Sequence, residues 1–185
     1  MRFNKHLSLE GKHAFLSPST YHWLRYSDEK MVEAWKKAQA KERGTRLHAL
    51  AAECILMGVK LPDKQETLAM YVNDGINYKM IPEQPLYFSD FCYGTADTIS
   101  FRKGELRIHD LKTGVTPASM EQLEIYAALF CMEYQQKPAE IMIELRIYQN
   151  NEVIVFNPTV ADIAPIMDRI VYFDKLLRAV EEEPY

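Results

Sequence analysis

The sequence predicts an α/β protein of the α+β kind: a mixed sheet of about five strands flanked by helices, with a helical region in front. Three observations carry this. Apolar residues recur at helical spacing through the first half of the chain, and after Pro82 the period falls to two. A single helical stretch, TPASMEQLEIYAALFCMEY, then separates two hairpin-like segments. The resulting order is helices, three strands, helix, two strands, helix.

In the helical part, SPSTYHWLRY offers Ser17 or Ser19 as the cap of a short helix, and DEKMVEAWKKAQAKE continues with Met31, Ala34, Trp35 and Ala38 on one stripe. Gly44 reads as an interruption. RLHALAAECILMG follows as a second helix, with Leu47, Leu50, Ala51, Cys54 and Ile55 apolar and Gly58 at its end. KQETLAMYVNDGINYKM is a third, which Gly75 is expected to close.

EQPLYFSDFCYGTADTISF and ELRIHDLK read as strands, and IMIELRIYQNNEVIVFNP as a second hairpin turning near Asn150 and Asn151. In the intervening helix Pro117 suits the first turn, Ser119 and Gln122 have capping-box spacing, and Leu123, Tyr126, Ala127 and Phe130 form the stripe. The last helix follows Thr159. One domain over 1–185 is expected, mainly helical over 1–80, strand-rich with one helix over 83–157, and closed by a helix over 159–183.

Composition narrows the function classes. With 48% hydrophobic and 26% charged residues the chain is of ordinary globular type, and no stretch approaches the ~18 unbroken apolar residues of a membrane span. The segment MRFNKHLSLEGKH lacks the apolar core of a signal peptide, so a cytoplasmic location without membrane partners is expected. Cys54, Cys92 and Cys131 are odd in number and far apart, which speaks for buried thiols over disulfides or a CxxC metal site. A net charge of −4 gives no global attraction for a polyanion. Local charge does: WKKAQAKERGTRLH carries Lys36, Lys37, Lys41, Arg43 and Arg46 against Glu42, either a DNA-binding patch or a solvated helix face.

The stretch GTADTISFRKGELRIHDLKTG raises the chemical question, because it places Asp97, Asp110 and Lys112 in an otherwise apolar hairpin. A loop over Arg102 to Glu105 pairs Phe101 with Leu106, Ile99 with Ile108, and Asp97 with Asp110. Asp97 then shares a face with Ile99 and Phe101. Two carboxylates about 4 Å apart oppose one another by about 4 kcal/mol at an effective dielectric of 20. A divalent cation is the simplest compensator; a salt-bridge cluster with Lys112 is the structural alternative.

These residues resemble a known family. Asp97 preceded by Gly94, with Asp110-Leu111-Lys112 after one hairpin, resembles the PD-(D/E)xK nuclease signature. Gly44-Thr45-Arg46-Leu47-His48 resembles the upstream GxxxH motif, and Gln122-Leu123-Glu124-Ile125-Tyr126 the downstream QxxxY motif, of the RecB-like and phage exonuclease branch. Each motif alone has a plain reading: a satisfied histidine, a capping glutamine, a core tyrosine. Their joint order carries the resemblance.

The resemblance implies a restriction-endonuclease-like core and a metal-dependent DNA nuclease, most simply an exonuclease acting in recombination, repair or phage DNA processing. It implies Mg²⁺ or Mn²⁺ held by His48, Asp97, Asp110 and the Leu111 carbonyl, with Lys112 beside the attacking water and Gln122 and Tyr126 positioning Lys112 or a phosphate. Glu83 resembles a recurrent acidic position. The cysteines do not fit the four-cysteine pattern of iron–sulfur members, so no cluster is expected. Partners implied are linear DNA, single- or double-stranded, with a second copy or a recombination or helicase protein as further candidates, in the host cytoplasm if the chain is phage-encoded. The alternative function is a non-cleaving nucleic-acid-binding or assembly protein on the same fold; an unrelated α/β domain with a structural salt bridge is a third.

Overall fold

The structure, a computed structural model, describes residues 7–9, 13–62 and 64–182. The chain divides into two compact units, Met1–Arg43 and Gly44–Tyr185. In the first, short 3-10 turns (Leu7–Leu9, Pro18–Arg25) precede the start of α1 (Asp28–Met57). Trp23 Nε1 donates to the Ser17 carbonyl at 3.0 Å, and Phe15 packs edge-on against Trp35 with ring centroids 4.9 Å apart.

The second unit holds the rest of α1, then α2 (Thr67–Asn77), β1 (Ile81–Ser89), β2 (Cys92–Arg102), β3 (Glu105–Leu111), α3 (Glu121–Glu133), β4 (Met142–Gln149), β5 (Glu152–Phe156) and α4 (Val160–Glu182). The strands lie in the order β1-β2-β3-β4-β5, antiparallel except for the parallel pair β3–β4. A parallel neighbour needs a crossover, and α3 supplies it. This is the expected five-stranded mixed sheet with flanking helices. The last position of the helix expected over 159–183 lies outside the described residues.

Two cores sandwich the sheet. Leu86, Ala96, Ile99, Leu106, Ile108, Leu145 and Ile147 pack with Leu123, Ala127 and Phe130 of α3 and Ile163 of α4. On the other side Ala51, Cys54 and Ile55 of α1 meet Tyr71 and Val72 of α2 and Leu111 and Tyr148 of the sheet. Each fully buried leucine or isoleucine contributes about 1.5–3 kcal/mol over leaving it in water.

The β2–β3 and β4–β5 turns each have two residues in the left-handed region, Lys103 (φ 52°) with Gly104 (φ 78°) and Asn150 (φ 52°) with Asn151 (φ 61°). Such turns match the twist of the flanking strands. The expected loop over Arg102 to Glu105 therefore shortens to its two central residues, because Arg102 and Glu105 still pair. The expected pairs Phe101↔Leu106 and Ile99↔Ile108 form.

Three helix boundaries differ from expectation. Helix α1 runs through Gly44 without a break, and α2 runs past Gly75. Both glycines mark close approach: a β-carbon on Gly44 would sit 2.8 Å from Thr113 Oγ1, and one on Gly75 would sit 2.7 Å from Ile55 Cδ1. Gly58 (φ 68°) does end α1, where the Gly58 N–H donates to Ile55 and the Val59 N–H to Cys54 in a Schellman closure. Helix α3 begins at Glu121, so Pro117 lies before it, and Gln122 caps nothing because its amide faces Lys112.

Candidate metal centre

The site is built where the ladder between β1 and β2 lapses. Pro82 pairs with Thr98 and Gln84 with Ala96, but Glu83 and Asp97 between them do not pair. Glu83 has φ 52°, a left-handed conformation that costs a non-glycine residue about 1 kcal/mol or more. The lapse switches faces. Ala96 and Ile99 share one core, although residues three apart on a regular strand point to opposite sides. Asp97 is therefore not an ordinary member of the Ile99–Phe101 face, and regular β2–β3 pairing stops at Thr98↔His109, one step short of the expected Asp97–Asp110 pair.

Freed from the ladder, the Asp97 carboxylate reaches across. Its Oδ2 accepts the Leu111 N–H at 2.9 Å and lies 3.3 Å from His48 Nδ1. His48 projects from α1 and is half-buried; its hydrogen bond with Asp97 holds its pKa above the usual imidazole value, against the opposing effect of burial. Glu83 joins them, and donor atoms of His48, Glu83 and Asp97 all lie within 4.8 Å of one another.

Asp110 stands beside this trio in a drier place. It is 3% exposed, and burial, then the charge of Asp97, raise its pKa, with Lys112 and His48 pulling the other way. Oδ1 accepts from Lys112 Nζ at 3.1 Å. Oδ2 lies 3.0 Å from the same nitrogen but outside hydrogen-bonding geometry, and is buried without a hydrogen-bond partner. The ammonium is fixed from its far side by Gln122 Oε1 at 2.8 Å.

Two sets of contacts, His48–Asp97–Leu111 and Asp110–Lys112–Gln122, thus adjoin through the Asp110-Leu111-Lys112 backbone. Leu111 enters the first through its N–H, whereas the resemblance implied its carbonyl. Tyr126 sits to one side, its ring packed on Gly94, where a β-carbon would come within 3.0 Å of Cε1. Lys36, Lys37, Lys41, Arg43 and Arg46 are all exposed on α1. At about 100° per residue those of the first unit spread around the helix, with Lys37 and Lys41 on one side and Lys36 and Arg43 on another.

Sequence reasoning left Glu83 without a role and passed over Tyr71. Tyr71 is buried in the wall of the site, hydrogen-bonded to Thr98; burial and the charges of Asp97, Asp110 and Glu83 push its hydroxyl well above its ordinary pKa. It remains a protonated donor. No sequence signal separates such a tyrosine from a core one.

A second polar cluster lies across β3. Tyr148 Oη donates to Asp74 Oδ2 at 2.6 Å and lies 3.2 Å from His109 Nδ1, so the imidazole proton sits on Nδ1. His109 Nε2 is buried without a partner, and burial, then Arg146 and Arg107, lower the His109 pKa to about 3.

The donor set fits a hard-to-borderline divalent ion. One imidazole and two carboxylates, without thiolate, suit Mn²⁺ or Mg²⁺, and beside them the Asp110 oxygen buried without a hydrogen bond has only the Lys112 ammonium, 3.0 Å away, to offset its charge. Compared with protein-family models, curated proteins and solved structures, the chain matches none. Among the described residues, no helix is long and apolar enough to cross a membrane.

Proposed function

We propose that this chain is a divalent-metal-dependent deoxyribonuclease of the PD-(D/E)xK type, on the RecB-like and phage exonuclease branch. The observation that carries the reading is the convergence of His48, Glu83 and Asp97 beside a buried Asp110 that grips Lys112. His48, Asp97, Asp110 and Glu83 would hold Mn²⁺ or Mg²⁺. When bound, such an ion neutralises phosphate charge and lowers the pKa of a coordinated water.

The remaining work falls to the chain's own groups. Lys112, fixed between Asp110 and Gln122, presents an ammonium to the negative charge that develops on the phosphate. Held against the Asp110 carboxylate, Lys112 is placed for charge stabilisation in preference to proton abstraction. Asp97 ties the site to β3 through the Leu111 N–H, which keeps the two strands in register at the chemistry. Tyr71 closes the apolar wall behind the carboxylates.

Linear and circular DNA incubated with the full chain in Mn²⁺ or in EDTA test this reading. Metal-dependent loss of linear DNA with circular DNA spared supports an exonuclease; nicking of circles points to an endonuclease. A gel shift without cleavage in metal supports the non-cleaving binding protein instead.

A further inference from the structure

Tyr87 and Tyr93 are cross-strand partners on the β1–β2 ribbon. Their rings stack at 25° with centroids 6.3 Å apart, yet they are 49% and 69% exposed. The pair is held in place: Tyr87 Oη donates to Asp90 at 3.0 Å, and the Tyr87 N–H donates to Glu133 at 2.8 Å.

The position of the pair connects it to the metal centre. Counting away from the level of Glu83 and Asp97, the next exposed pair on that face is Pro85↔Thr95 and the next is Tyr87↔Tyr93. Four residues at about 3.3 Å each put Tyr93 roughly 13 Å from Asp97, a few nucleotides of strand. Exposed residues, Pro85 and Thr95, are all that separate the carboxylates from the tyrosine pair along this face.

Two features select the occupant. β1 is an edge strand, but Pro82 and Pro85 interrupt its free edge, which disfavours strand addition by a peptide or a second copy. Duplex bases are stacked on each other and present no face to a tyrosine, whereas an unpaired base does. We infer that Tyr93, backed by Tyr87, is a base-stacking platform for an unpaired DNA strand entering the metal centre; the identity of the strand rests on the nuclease reading above.

The test is fluorescence anisotropy of the full chain in EDTA with a labelled thymidine oligomer and an abasic oligomer of equal length. Tyr93→Ala is expected to weaken thymidine-oligomer binding roughly 10-fold, and Tyr93→Trp to retain it. The abasic oligomer should bind weakly, and equally to wild type and Tyr93→Ala. Equal binding of both oligomers by wild type, or wild-type affinity in Tyr93→Ala, overturns the platform. Wild-type cleavage in Mn²⁺, measured alongside, separates the two claims: cleavage without a stacking contribution removes the platform alone, and stacking without cleavage removes the nuclease reading alone.

Discussion

His48 Nδ1 and Asp97 Oδ2 lie 3.3 Å apart, and that same carboxylate oxygen accepts the Leu111 N–H at 2.9 Å. One atom therefore joins a helix, β2 and β3 at the point where the β1–β2 ladder lapses. A carboxylate engaged in the regular ladder face would point into an apolar core; the lapse directs it to the imidazole instead.

Asp110→Asn should abolish metal-dependent cleavage while keeping or raising the melting temperature. The Asp110 pKa is raised in the folded chain, so between the unfolded value and that raised value the folded state binds more protons. Stability is then lost as pH rises through this window and stays lost at neutral pH, a penalty the amide removes. Thermal denaturation at pH 7 checks it, and a large drop in melting temperature would favour a structural salt bridge.

Gln122→Ala should lower the cleavage rate roughly 10- to 100-fold without changing the melting temperature, because Lys112 loses its fixed partner on the far side. Gln122→Glu, which keeps an acceptor oxygen, should recover part of the rate. Single-turnover kinetics with saturating DNA give the comparison.

His109 gives a pH dependence of stability. Its folded pKa of about 3 lies below the ordinary imidazole value, so the unfolded chain binds the extra proton first. Stability should fall as pH drops below about 6.5, by up to about 1.4 kcal/mol per pH unit from this group. The groups facing it are Tyr148, Tyr78, Arg107 and Arg146. His109→Phe should remove that slope, as read by urea denaturation from pH 7 to pH 4.

Gly75→Val should destabilise by about 1–3 kcal/mol, since its side chain would be driven into Ile55 across the α1–α2 contact. Denaturant midpoints measure it directly. An unchanged midpoint would mean that Ile55 repacks freely.

The parts of the site that were legible in the sequence are those fixed by period and order. Alternation placed Ile99 opposite Ile108 and Phe101 opposite Leu106, and the family resemblance anticipated Lys112 beside Asp110 and Gln122 and His48 beside Asp97. What escaped depended on local backbone departures. Nothing in Pro82-Glu83-Gln84 announces a left-handed glutamate, so Glu83, named only as a recurrent acidic position by resemblance, had no role assigned and the face switch at Asp97 was not foreseen. Gly44 and Gly75 read as breaks because glycine is a poor helix former; inside packed helices the same missing side chain permits close contact. By spacing alone Gln122 reads as a cap, because spacing does not show that its amide faces Lys112; only the resemblance implied that contact.

The most direct test of the central claim is calorimetric titration of Mn²⁺ into the metal-free full chain and into Asp97→Asn. The account predicts saturable binding by the wild type, weakened at least 10-fold in the variant, since Asp97 is one of the three clustered donors with His48 and Glu83. No saturable binding, or equal affinity in the two proteins, would contradict a metal centre at this position.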